Sequence, residues 1–104
     1  MTDIEYYWRP GCPFCMRLES KLGRYDIPLV RRNIWENADD AARVRSVANG
    51  NESVPTVIIG QRAMVNPSAD EVMSVLSEAA PALVPDDWEP GSRVGRALGR
   101  LFRE

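Results

Sequence analysis

Ile4-Glu5-Tyr6-Tyr7-Trp8-Arg9-Pro10-Gly11-Cys12-Pro13-Phe14-Cys15 decides the reading of this 104-residue chain. Ile4 to Trp8 has the β-branched and aromatic content of a strand. Beyond Cys15, the apolar residues Met16, Leu18, Leu22 and Tyr25 alternate with polar groups and predict a helix interrupted late by Gly23. Pro13 suits the first helical position, where a missing N–H costs nothing. Cys12 then falls at the cap, facing free backbone N–H groups and the positive end of the helix dipole. A thiolate there is stabilised, so the Cys12 pKa is expected below the free value of about 8.5, on an exposed and reactive sulfur.

Two cysteines form at most one intrachain disulfide. A structural bond closing so short a loop contributes little entropic stabilisation compared with a long-range bridge. A four-ligand zinc site needs two more soft or imidazole ligands, and the chain has no third cysteine and no histidine. Carboxylates or a second subunit are the remaining donors, and no spacing in the chain asks for them. The strand–turn–helix context favours a redox pair.

The size allows one domain and no separate substrate domain. Apolar residues at 44% and charged residues at 27% argue for a folded, soluble protein. A formal charge of -2 gives no case for nucleic-acid binding. No apolar stretch approaches the roughly 20 residues that cross a bilayer. The start contains Asp3 and Glu5 and no basic segment before an apolar block, so no signal peptide is expected and a reducing cytoplasm is the default.

Ile27-Pro28-Leu29-Val30 reads as a second strand, ended by Arg31 and Arg32. Asn37 is a cap for a helix whose inward stripe is Ala41, Val44, Val47 and Ala48, stopped by Asn49-Gly50. Val54 to Ile59 makes a third strand, and Ala63-Met64-Val65 a short antiparallel partner across Gly60-Gln61-Arg62. A last core helix follows, capped either by Ser68, with Glu71 at capping-box spacing, or by Asn66 ahead of Pro67. Val72, Val75, Leu76 and Ala79 should form its buried face. The domain is therefore expected over residues 1–80, with 81–104 as a C-terminal extension. In that extension Pro81 to Pro90 reads as a linker or an extended packed segment containing Trp88. Arg93 to Arg103 reads as a basic amphipathic helix weakened by Gly95 and Gly99.

The cysteine motif, the element order and Val54-Pro55-Thr56 together resemble the thioredoxin superfamily, and within it the glutaredoxins. Trp8 to Cys15 and Val65-Asn66-Pro67-Ser68 are similar to actinobacterial mycoredoxins. The resemblance covers about residues 3–80 and implies an α/β thioredoxin-like fold, a mixed four-stranded sheet flanked by three helices. It also implies that Cys12 is the nucleophile, Cys15 the resolving thiol, and Pro55 a cis proline facing them, with the Val54 backbone free to pair with an extended thiol substrate. Arg9 replaces the lysine often found ahead of the nucleophile. Asn66-Pro67-Ser68 replaces a familiar Gly-Gly pair, which argues against glutathione and for mycothiol. Gly11 stands where thioredoxin has tryptophan.

The resulting expectation is a thiol–disulfide oxidoreductase that reduces mixed disulfides between proteins and a small thiol, mycothiol before glutathione, without a tightly bound cofactor. Phe14 is expected as an apolar rim, and Arg9 as a charge favouring the thiolate or an anionic substrate. The expected partners are mycothiolated or disulfide-containing proteins and an upstream thiol–disulfide reductase, met by a monomer. Two other readings stay open: a thioredoxin-like dithiol reductase, and an iron–sulfur cluster carrier using Cys12 in a dimer.

Overall fold

The structure, a computed structural model, describes residues 3–88. Strand β1 (Ile4–Trp8) lies in the interior of a four-stranded sheet with order β2-β1-β3-β4. It pairs parallel with β2 (Val30–Asn33) and antiparallel with β3 (Thr56–Ile59), which pairs antiparallel with β4 (Arg62–Val65). Helices α1 (Pro13–Gly23), α2 (Ala38–Val47) and α3 (Ala69–Ala79) complete the order β-α-β-α-β-β-α. The mixed sheet and its three helices are those expected from the sequence.

Alternation along the strands builds two cores. Ile4 and Tyr6 of β1 and Val57 and Ile59 of β3 meet Leu18 and Leu22 of α1 and Val72 and Leu76 of α3 on one face. Tyr7 and Ile58 point the other way, onto Ala41 and Val44 of α2 and onto Ile34 and Ala48 beside it. Both tyrosines are consequently buried, because helices cover both faces of the sheet. Tyr7 Oη donates to Glu5 Oε1 at 3.1 Å, and Arg32 reaches the same carboxylate and Asp40.

Strand β2 corrects the sequence reading. Ile27 turns the chain out of α1 through its N–H to Leu22 O, and the strand begins only at Val30. Arg31 and Arg32 sit inside it instead of ending it. An edge strand tolerates such charges, and they protect its free edge. Smaller corrections concern β3, which starts at Thr56 rather than Val54, and α3, where Met73 is buried and Ala79 is exposed.

The helix starts follow local chemistry. Asn37 Oδ1 accepts from the N–H groups of Asp39 and Asp40. Asn49 and Gly50, with φ of 56° and 84°, then terminate α2. Of the two caps weighed for α3, Ser68 is the one used: its Oγ accepts from Glu71 N–H at 3.1 Å. Ser68→Ala should lower stability by about 1 kcal/mol in urea unfolding, since it orphans that N–H.

Past α3, a single 3₁₀ turn (Pro81–Leu83) leads the chain back over the first core. Trp88 is buried there, and its Nε1 donates to Asp70 Oδ1 at 3.4 Å, in the first turn of α3. Residues 81–88 are thus a packed segment rather than a free linker. The helix expected over Arg93–Arg103 lies outside the described residues.

Candidate functional site

The site forms where β1 enters α1. Gly11 carries a φ of 73°, a conformation that side chains with a Cβ rarely adopt, and this turn aims Cys12 at the helix start. Cys12 is the N-cap of α1, Pro13 follows it at the helix start, and Cys15 N–H donates to Cys12 Sγ at 3.1 Å. The two cysteines are joined as a disulfide, with Cα atoms 5.2 Å apart. Tyr6 Oη donates to Cys15 O at 2.8 Å and anchors the first helical turn to the sheet. Burial pushes the Tyr6 phenol up to about 12.

That shift has a pH consequence. Tyr6 in the folded protein keeps its proton where an unfolded tyrosine, near pH 10, loses it. Stability should therefore be flat below that point and decline as pH rises toward 12, by at most about 1.4 kcal/mol per pH unit. Tyr6→Phe should remove this component of the alkaline loss in urea titrations, while costing about 1 kcal/mol at neutral pH for the lost hydrogen bond to the Cys15 carbonyl.

The Val54–Pro55 peptide bond is cis. It brings Val54 O to 3.9 Å from Cys12 Sγ, so the two segments named from the sequence meet at the sulfur. Asn66 N–H donates to Pro55 O at 2.7 Å, and Asn66 itself takes a φ of 51°. Asparagine supplies the left-handed residue for which glycine is the usual choice. The entry to α3 is thereby tied to the cis-proline turn.

Access differs from expectation. Cys12 is only 3% exposed and Cys15 1%, both within the first core, because the Val54–Pro55 turn and the end of β1 close over the cap position. Phe14, by contrast, is 57% exposed and forms a rim on α1, with the Arg17 guanidinium 5.8 Å from its ring centre. Arg9 folds back over the turn: its Nη1 donates to Pro10 O at 3.0 Å, and its guanidinium lies 5.5 Å from the Trp35 ring centre. A Cβ built on Gly11 would stand 3.9 Å from Arg9 Nη1, so the charge stays close to the residue before Cys12.

Sequence reasoning did not foresee the Arg9–Trp35 and Arg31–Trp8 stacks, whose partners lie on different segments. It also missed a groove of about 250 Å³ between α1 and the loop into α3. The spacing of residues 14, 17, 18 and 21 along one helical face was the available signal.

Comparison with known proteins supplies the family. The glutaredoxin family model matches residues 4–64. The chain belongs to the glutaredoxin family. Proteins of two Mycobacterium tuberculosis strains assigned as glutaredoxins are each 37% identical to it over 78 residues, covering 74% of this chain and 93% of the relative. Among solved structures, a glutaredoxin of Archaeoglobus fulgidus superposes with a TM-score of 0.57 at 23% identity, over 76% of this chain and 86% of that one. A buckwheat glutaredoxin in complex with glutathione superposes at 0.55 and 16% identity, over 80% of this chain and 76% of the other. These two likenesses speak for the fold. With the glutaredoxin family established and the Cys12–Cys15 pair in place, the chain is a thiol–disulfide oxidoreductase. No helix among its described residues is long and apolar enough to cross a membrane.

Proposed function

We propose that this glutaredoxin reduces mixed disulfides between proteins and a low-molecular-weight thiol, with mycothiol as that thiol and Cys12 as the nucleophile. The observation that carries the reading is the position of Cys12 Sγ at the α1 cap, accepting the Cys15 N–H and standing 3.9 Å from Val54 O. A sulfur that accepts an amide hydrogen bond at the positive end of a helix is stabilised as the anion. Burial opposes this by penalising charge. On this reading the hydrogen bond and the dipole, which act directly on the sulfur, outweigh that penalty.

The reduced Cys12 thiolate attacks the small-thiol sulfur of the mixed disulfide. The bond between the two substrate sulfurs breaks, and the partner protein leaves as its thiolate. A second small thiol, as thiolate, then attacks that sulfur and departs as a symmetrical disulfide, which regenerates Cys12. Each step moves one electron pair along a line of three sulfurs and needs no general base. The Val54 backbone is placed to pair with an extended substrate, and Pro55 leaves its own edge free of a competing N–H. Phe14 serves as the apolar rim, and Arg9 holds positive charge beside the turn.

Support for mycothiol over glutathione comes from Asn66-Pro67-Ser68 in place of the Gly-Gly pair, and from the mycobacterial relatives. A reducing cytoplasm and an upstream reductase that returns the small thiol to its reduced form suit this cycle. A second route has its own observation. The Cα separation of 5.2 Å lets Cys15 resolve an adduct on Cys12, as a dithiol reductase of protein disulfides requires.

The test compares the same cysteine peptide carrying mycothiol or glutathione, together with a protein disulfide, as substrates for the reduced enzyme. The proposal expects the mycothiol adduct to have the highest kcat/KM. Equal rates on both adducts would remove mycothiol as the assigned thiol, and a clear preference for the protein disulfide would favour the dithiol route.

A further inference from the structure

Trp35 has no task in the exchange steps and none in core packing. It is 63% exposed and belongs to neither core. Its backbone is nevertheless fastened to the end of β1. Ile34 N–H donates to Trp8 O at 2.9 Å, and Trp35 N–H donates to Asn33 Oδ1 at 2.9 Å, Asn33 being the β2 partner of Trp8. The turn after β2 thereby presents the indole to the residue that follows Trp8. That residue is Arg9, whose guanidinium lies 5.5 Å from the ring centre.

Little else fixes this arginine. Its Nη1 donates to the exposed Pro10 carbonyl at 3.0 Å, and it has no ion-pair partner among the described residues. Arg31, stacked on Trp8, is by contrast also paired with Glu19. A long side chain held by one exposed carbonyl samples many rotamers. An indole is rigid, and its face attracts a guanidinium.

We propose that Trp35 is a positioning residue for the exchange reaction: its ring holds the Arg9 guanidinium over the Pro10–Gly11 turn and keeps that charge beside Gly11, the residue before Cys12. The inference rests on Cys12 being the nucleophile. A fixed positive charge there favours the thiolate, both as attacking group and as leaving group. The neighbouring elements do not duplicate it. The first turn of α1 carries no carboxylate, and Arg17 faces the Phe14 ring. The cis-proline turn offers only the Val54 carbonyl, and Tyr6 is a neutral phenol on Cys15 O. Asp70, in the first turn of α3, accepts from Trp88, and Glu36 beside Trp35 makes no ion pair with Arg9.

The test follows alkylation of the reduced protein by iodoacetamide against pH, with the label on Cys12 quantified by peptide mass spectrometry. Wild type is compared with Trp35→Leu, Trp35→Phe, Arg9→Gln and the double variant Trp35→Leu, Arg9→Gln. Leucine removes the ring face, and should raise the midpoint by about half a pH unit. That is roughly a threefold fall in the thiolate-to-thiol ratio, the size of one exposed charge interaction. Arg9→Gln should raise the midpoint at least as far, the double variant no further than Arg9→Gln, and Trp35→Phe should stay near wild type. An unchanged profile in Trp35→Leu or in Arg9→Gln would overturn the assignment, as would a further rise when Trp35→Leu is added to Arg9→Gln. Loss of urea stability in both Trp35 variants, in step with their reactivity, would make Trp35 structural and overturn it too. The readout needs no mixed disulfide. Absence of turnover on every substrate would therefore count against the exchange function, while the alkylation profiles still decide the role of Trp35.

Discussion

Cys12→Ser is expected to reduce turnover of a small-thiol mixed disulfide to the uncatalysed rate, a loss of about a thousandfold or more. Cys15→Ser should retain most of that activity and lose activity on protein disulfides. The asymmetry follows from position. Cys12 is the helix cap and stands against Val54 O, whereas Cys15 lies inside the first turn at 1% exposure, with its carbonyl held by Tyr6. An oxygen at position 12 cannot form the intermediate disulfide, so no conservative geometry rescues it. A serine at position 15 removes only the resolving sulfur, and a second small thiol takes its place. Single-turnover mass spectrometry would show the small-thiol adduct accumulating on Cys12 in the Cys15→Ser protein.

Trp88→Ala should destabilise the protein by about 3 kcal/mol, the cost of emptying a buried aromatic site. Trp88 is 6% exposed and joins the core that contains Cys12, Cys15 and Val72. Its loss also leaves Asp70 Oδ1 without the indole donor at the start of α3. Trp35 supplies the internal control: at 63% exposure its removal should change stability by no more than about 0.5 kcal/mol. Urea unfolding of the two variants would separate them, and equal midpoints would show that residues 81–88 do not hold the fold together.

The β1–turn–α1 segment was legible because its signals are local. Tyr6 and Tyr7 alternate, Pro13 and Cys12 mark a helix start, and Asn49-Gly50 and Asn37 punctuate α2 in the same way. Strand β2 was misplaced because its register is set by the Glu5–Val30 to Trp8–Asn33 pairing, which no property of residues 30–33 announces. Arg31 and Arg32 look like a strand stop until Glu19 and Glu5 are seen to receive them. The site divides along the same line. Cys12, Cys15 and Pro55 could be named from motif and resemblance. The closure over Cys12, the stack of Arg9 on Trp35 and the return of Trp88 to Asp70 are tertiary contacts between residues far apart in the chain. Helical spacing put Phe14, Arg17, Leu18 and Lys21 on one side of α1, but only the opposing loop makes that side a groove.

What the exchange account requires above all is that the reduced protein carry its negative charge on the cap sulfur near neutral pH. Carbon-13 labelling of both cysteines and NMR titration of the reduced protein measures this for each thiol separately. The account predicts that Cys12 ionises well below the free-thiol value of about 8.5 and below Cys15. Ionisation of Cys12 at or above that value would contradict it, because burial would then have outweighed the helix cap.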